Sequence, residues 1–138
     1  MEPLLMSELV EFDNFAEVEA LLRAGMELKF ELSDDTDVLN GSPVYASALN
    51  RLREGLISGL RSSSTPGRAQ KQADWYRLSQ HQQRWGVIAQ RAVLHPRWRE
   101  LSAVELRQWV ETLAAPLVVD YEGLEAIKTA AEEIPDRL

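Results

Sequence analysis

Five segments of this chain open with the residues that start helices. Asn14-Phe15-Ala16-Glu17 fits a capping box, in which the Asn side chain accepts from first-turn amides while Glu17 reaches back. Ser42-Pro43 reads as an N-cap followed by a first-turn proline, and Thr65-Pro66 reads the same way. Ser102-Ala103-Val104-Glu105 is a second capping box, and Asp120 caps a last segment. Each start leads into apolar residues spaced three and four apart, the period of a helix with one buried face. The chain is therefore expected to be mostly α: about five helices around a Trp-rich core, in a single helical domain spanning 1–138. A flexible connector is expected at about 61–67, where Arg61-Ser62-Ser63-Ser64-Thr65-Pro66-Gly67 is the one low-complexity stretch.

The apolar faces are explicit. After Asn14 come Val18, Leu21 and Leu22, with Gly25 suited to the helix end. Tyr45, Ala48, Leu49, Leu52, Leu56 and Leu60 define the helix 43–60, which Gly55 and Gly59 weaken while smoothing one strip for close approach of another helix. The longest helix is expected over about 66–94. Trp75, Leu78, Gln82, Trp85, Ala89 and Ala92 follow a 3-4-3-4-3 spacing along it, the seam of close helix packing. Leu106, Trp109, Val110 and Leu113 face inward after Ser102, until Pro116 stops the helix. Leu124, Ile127, Ala131 and Ile134 form the last face.

One segment breaks the helical pattern. Met26-Glu27-Leu28-Lys29-Phe30-Glu31-Leu32 alternates apolar and charged residues, which predicts a short strand or hairpin over 26–32. A lone strand leaves its edges unsatisfied, so 117–121 is its pairing candidate, or a second copy of the chain. The rival is a longer helix running through Gly25.

Charge is segregated. Residues 1–40 carry a balance of −9, residues 41–100 a balance of +7, and the remainder −5, giving −7 overall. The ends are expected to fold onto the basic middle and neutralise it, with part of that middle open to an anionic partner as the sharper reading. Arg77, Arg84 and Arg91 recur every seven residues and would form a stripe on one helix, with Arg97 and Arg99 adding charge beyond it.

Catalytic signals are sparse. There is no cysteine, which removes disulfides and thiolate chemistry and tilts the expected location towards the cytoplasm. Met1 to Leu9 contain two glutamates and no basic residue, unlike a signal peptide, and no run of apolar residues is long enough to span a bilayer. His81 and His95 are the two histidines, and neither sits in a catalytic spacing. Asp34-Asp35-Thr36-Asp37-Val38-Leu39-Asn40-Gly41 suggests a calcium loop, but its glycine comes one place late and the twelfth position is Ala46. No phosphate loop, dinucleotide pattern or zinc signature is present, so no cofactor and no metal is expected.

Val18-Glu19-Ala20-Leu21-Leu22-Arg23-Ala24-Gly25 resembles the second helix and glycine of an ankyrin repeat, and Ser42-Pro43-Val44-Tyr45 is similar to that family's next-repeat turn. The match covers under a quarter of the chain, Tyr45 replaces the motif's histidine, and no second copy follows. Stacked repeats need about three units to bury their faces, so no functional residue is assigned from the resemblance.

The expected function is a non-enzymatic protein–protein interaction protein of adaptor, assembly-factor or inhibitor type, binding another protein or itself as a homodimer. The alternative is a nucleic-acid-binding protein using the basic helix 66–99, with Arg77, Arg84, Arg91, Arg97 and Arg99 as binding residues.

Overall fold

The structure, a computed structural model, describes residues 11–32, 38–63 and 66–135. Among these are six α-helices: α1 (Phe15–Glu27), α2 (Pro43–Ser62), α3 (Pro66–Trp75), α4 (Gln82–Ala92), α5 (Ala103–Ala114) and α6 (Tyr121–Glu132). The mostly α fold is thus as the sequence indicates. The cap residues do their expected chemistry. Asn14 accepts from the Glu17 amide at 3.0 Å, Ser42 from Tyr45 at 3.1 Å, and Asp120 from Gly123 at 3.3 Å. Ser102 and Glu105 close a complete capping box. Glu17 reaches one residue further back than the box predicts, accepting from the Asp13 amide at 2.7 Å. Of the connector expected over 61–67, residues 61–62 end α2 and 66–67 open α3, while 64–65 lie outside the described residues.

Helix α2 is the hub, with α1, α3 and α5 packed on it, and α4 packs on α5 and α6. The core between them is aliphatic, with Leu22, Leu60, Leu78, Ile88, Val110 and Ile127 fully buried. The tryptophans occupy its margin rather than its centre. Trp85, Trp98 and Trp109 are partly buried against it, and Trp75 is 49% exposed. Position at the margin suits the indole N–H, which needs a partner: Trp85 donates to the Leu78 carbonyl at 3.0 Å and Trp109 to that of Ala92 at 3.1 Å.

The strand expected over 26–32 does not form. Helix α1 passes through Gly25 to Glu27 and continues as a π-helical turn over Leu28–Leu32. The alternation misleads because the wrong member is buried: Lys29 is 0% exposed, whereas Leu32 is 74% exposed. Burial instead follows Leu22, Gly25, Met26, Lys29 and Phe30, a helical spacing. A helix also satisfies its own backbone, which a lone strand cannot. Residues 117–121 likewise find a different partner. Val118 forms a single parallel bridge with Arg77, through Leu78 N to Val118 O at 2.8 Å and Val118 N to Tyr76 O at 2.7 Å.

That bridge breaks the helix expected over 66–94. After Trp75 the chain turns extended at Arg77, makes a 3₁₀ turn over Leu78–Gln80, and re-enters a helix at Gln82. No proline or glycine marks the break. It is a tertiary contact, with Asp120 accepting from the Ser79 amide and hydroxyl and pairing with Arg77 while it caps α6. The continuous Trp75–Trp85 seam is therefore interrupted.

Gly25 lies inside α1 rather than ending it, and its value is closeness. A Cβ there would come within 2.5 Å of Leu49 Cδ2 and 3.1 Å of the Tyr45 hydroxyl on α2. Leu49 is itself buried and has little room to yield. Gly25→Ala should therefore lower stability by about 1–2 kcal/mol in urea unfolding, despite alanine's better helix propensity. A stabilised variant would show that α1 can shift off α2 freely.

Candidate binding groove

Helices α1 and α3 both lie on α2, and a groove of about 650 Å³ runs between them. Trp75 and Tyr76, from the end of α3, and Met26, from α1, supply its apolar part. Glu19, Glu27 and Glu31 line the α1 side, with Arg23 among them, and Arg68 and Lys71 line the α3 side. Two ion pairs span the groove towards its ends: Arg68 to Glu19 at 2.5 Å and Arg84 to Glu31 at 3.5 Å. Arg77 pairs with Asp120 at 3.3 Å, so the basic middle is tied to both acidic ends.

Trp75 is half in water yet fixed in place. Its ring stands edge-on to Tyr76 at 5.0 Å and to His81 at 4.6 Å between centroids. His81 is buried, with Nε2 2.6 Å from the Trp75 carbonyl and Nδ1 2.8 Å from Arg84 Nη1. A carbonyl only accepts, so Nε2 carries the ring proton and Nδ1 accepts from the guanidinium. Burial pushes the His81 pKa below the usual imidazole range; the Trp75 carbonyl opposes this and Arg84 adds to it. Arg84 also stacks over Phe30, 5.2 Å from its centroid. The end of α3, the start of α4 and the turn after α1 are thus locked around Trp75.

The five arginines singled out in the sequence do not share a surface. The break at 76–81 takes Arg77 off the axis of Arg84 and Arg91, so the stripe expected on one continuous helix is not formed. Arg77 is on Asp120, Arg84 is at the groove, and Arg91 is buried close enough to Lys29 to depress its pKa. Arg97 and Arg99 line a separate hollow of about 510 Å³ beside Trp98 and Ile134, where Arg97 pairs with Glu100 at 3.5 Å. The groove residues Arg23, Met26, Lys71, Trp75 and Tyr76 were not legible as a site, because Trp75 read as a core residue of an unbroken helix.

Lys29 is the other unusual group. Its Nζ donates to the carbonyls of Thr112 at 2.8 Å and Ala115 at 3.0 Å, at the C-terminal end of α5. Burial, with Arg91 nearby, lowers its pKa to about 7. A donor at a helix C-terminus satisfies carbonyls that have no intrahelical partner, which is a structural role. Among the described residues no group of His, Asp or Glu is placed to hold a metal ion, and no helix is long and apolar enough to cross a membrane. Of the acidic loop, residues 33–37 lie outside the described residues.

The fold and the groove together define a mostly α-helical domain with an amphiphilic cleft. Compared with protein-family models, curated proteins and solved structures, the chain matches none of them.

Proposed function

We propose that this domain is a non-enzymatic protein-binding module, of the adaptor, assembly-factor or inhibitor kind, that docks a short segment of another protein in the α1–α3 groove. The observation that carries this reading is Trp75, half exposed but held rigidly by Tyr76 and His81. Rigid aromatic anchors bordered by arginines are the residues that dominate interface energies. From Glu19 to Glu31 the α1 side runs about 18 Å, enough for five or six extended residues. The lack of cysteine supports a cytoplasmic setting. Nucleic acid is the less favoured partner, since Arg77 and Arg84 already face Asp120 and Glu31 and Arg91 is buried.

Light scattering at low and high salt separates a self-partner from a foreign one, and a monomer at both is expected. Selection of a displayed random-heptapeptide library on the full chain should then yield peptides that Trp75→Ala no longer holds. Circular dichroism must show that variant folded, and Trp75→His serves if it is not. Enrichment that ignores Trp75 would overturn the proposal. Steeply salt-dependent binding of single-stranded oligonucleotide, lost in Arg77→Ala, would move the function to the basic segment 66–99.

A further inference from the structure

We infer that the groove recognises a carboxylate, carried by an acidic residue one or two positions from the apolar side chain that meets Trp75. This rests on the binding reading above and concerns what the same groove selects.

With Arg68 on Glu19 and Arg84 on Glu31, the charges left between the two bridges are Arg23, Lys71 and Glu27. Neither Arg23 nor Lys71 makes an ion pair among the described residues, so the space between the bridges carries a net positive charge. Tyr76 adds a third group. It is 4% exposed, and its hydroxyl makes no hydrogen bond among the described residues, although it lines the groove. The hydroxyl keeps contact with solvent at the groove, so it is free to donate to a ligand bound there. Burial, and then the charge of Glu19, raise the Tyr76 pKa, while Arg53 and Arg23 act against this. The phenol therefore remains a donor at neutral pH.

Two cations and a hydroxyl donor suit an anion, and charge-assisted hydrogen bonds from a guanidinium are the strong kind. Glu19, Glu27 and Glu31 line the α1 side beside Arg23 and across from Lys71, so a single negative charge fits better than a phosphate dianion. Trp75 and Met26 supply apolar surface alongside, which a free small acid would leave bare. An acidic residue next to an apolar one on an extended segment meets both demands.

The test uses heptapeptides selected on the full chain, resynthesised with a fluorescent label and measured by anisotropy. Asp or Glu should be enriched beside an aliphatic or aromatic residue. Replacing that acid by its amide should weaken binding about tenfold or more, the scale of a charge-assisted hydrogen bond. Lys71→Glu should lose the acidic peptides by a similar factor and select basic ones, and Tyr76→Phe should weaken the acid form more than the amide form. Trp75-dependent peptides with no acidic bias, or equal binding to Lys71→Glu, would overturn the carboxylate assignment and leave the docking function standing. Tighter binding of a phosphoserine peptide than of its glutamate counterpart would also overturn it. If no peptide depends on Trp75, the docking reading falls and the assignment falls with it.

Discussion

Between pH 7 and 9.5 this domain should become more stable as the pH rises, with a slope approaching about 1.4 kcal/mol per pH unit, that of one proton. The group responsible is Lys29, whose pKa falls from an ordinary 10.5 to about 7 on folding. Below pH 7 the lysine is charged in both states, and the folded protein bears the full cost of holding that charge away from water. Above pH 10.5 it is neutral in both, and the cost is gone. In between, the unfolded chain keeps a proton that the folded one has released, so alkali favours the fold. A neutral amine still has two hydrogens, one for each of the carbonyls of Thr112 and Ala115. His81 acts in the same sense at lower pH: its folded pKa is depressed, so stability drops as the pH falls below the usual imidazole range. Burial raises the pKa of Tyr45 and, with Glu19, that of Tyr76, which reverses the trend above about pH 10 and sets the upper limit of the window. Urea unfolding across the window reads the slope in the wild-type chain alone. Lys29→Met should flatten it, and NMR titration of the Lys29 ε-methylene should show a midpoint near 7. A flat or falling profile, or a midpoint near 10, would refute the assignment.

The same lysine explains what the sequence could and could not reveal. Helix starts were readable because a cap is local chemistry: Asn14, Ser42, Ser102 and Asp120 each bond an amide three residues on. The faces of α5 and α6, and that of α2 apart from the exposed Ala48, were readable because they follow one period. Segment 26–32 was misread because period analysis assumes that charge points outward, and Lys29 points inward to the end of α5, more than eighty positions away. The break at 76–81 left no local mark, since its cause is a bridge to Val118 and a carboxylate from Asp120. The groove follows from that break. An unbroken helix would place Trp75 and Trp85 along one seam, whereas the turn puts Trp75 on the groove and leaves Trp85 against the core. Long-range contacts of this kind outweigh local propensity and cannot be read from spacing.

Leu78→Ala should be among the most destabilising single truncations in the domain, at about 2–5 kcal/mol. Leu78 has no exposed surface and lies at the centre of the break. Its amide donates to Val118, its carbonyl accepts from the Trp85 indole, and its side chain lies against α6 at Gly123. The contact with Gly123 is close: a Cβ there would come within 2.8 Å of both Cβ and Cγ of Leu78, and within 2.6 Å of Asp120 Oδ1. Neither Leu78 atom is the free end of a flexible chain. Gly123→Ala should therefore cost about 1–3 kcal/mol by overpacking, although alanine is the better helix former. The two defects are opposite in sign, one leaving a void and the other lacking space, and they share the same contact. In the double variant the alanine at position 78 keeps its Cβ, so that contact and the one with Asp120 remain, but the clash with Cγ is gone and the new methyl borders the volume that Leu78 vacates. The combined loss should be about 0.5 kcal/mol smaller than the sum of the single losses. Urea unfolding of the four proteins gives the cycle. Strict additivity would mean that Leu78 and Gly123 do not touch. The turn at 76–81 would then not be seated on α6, and the exposure of Trp75 that depends on that seating would lose its structural basis.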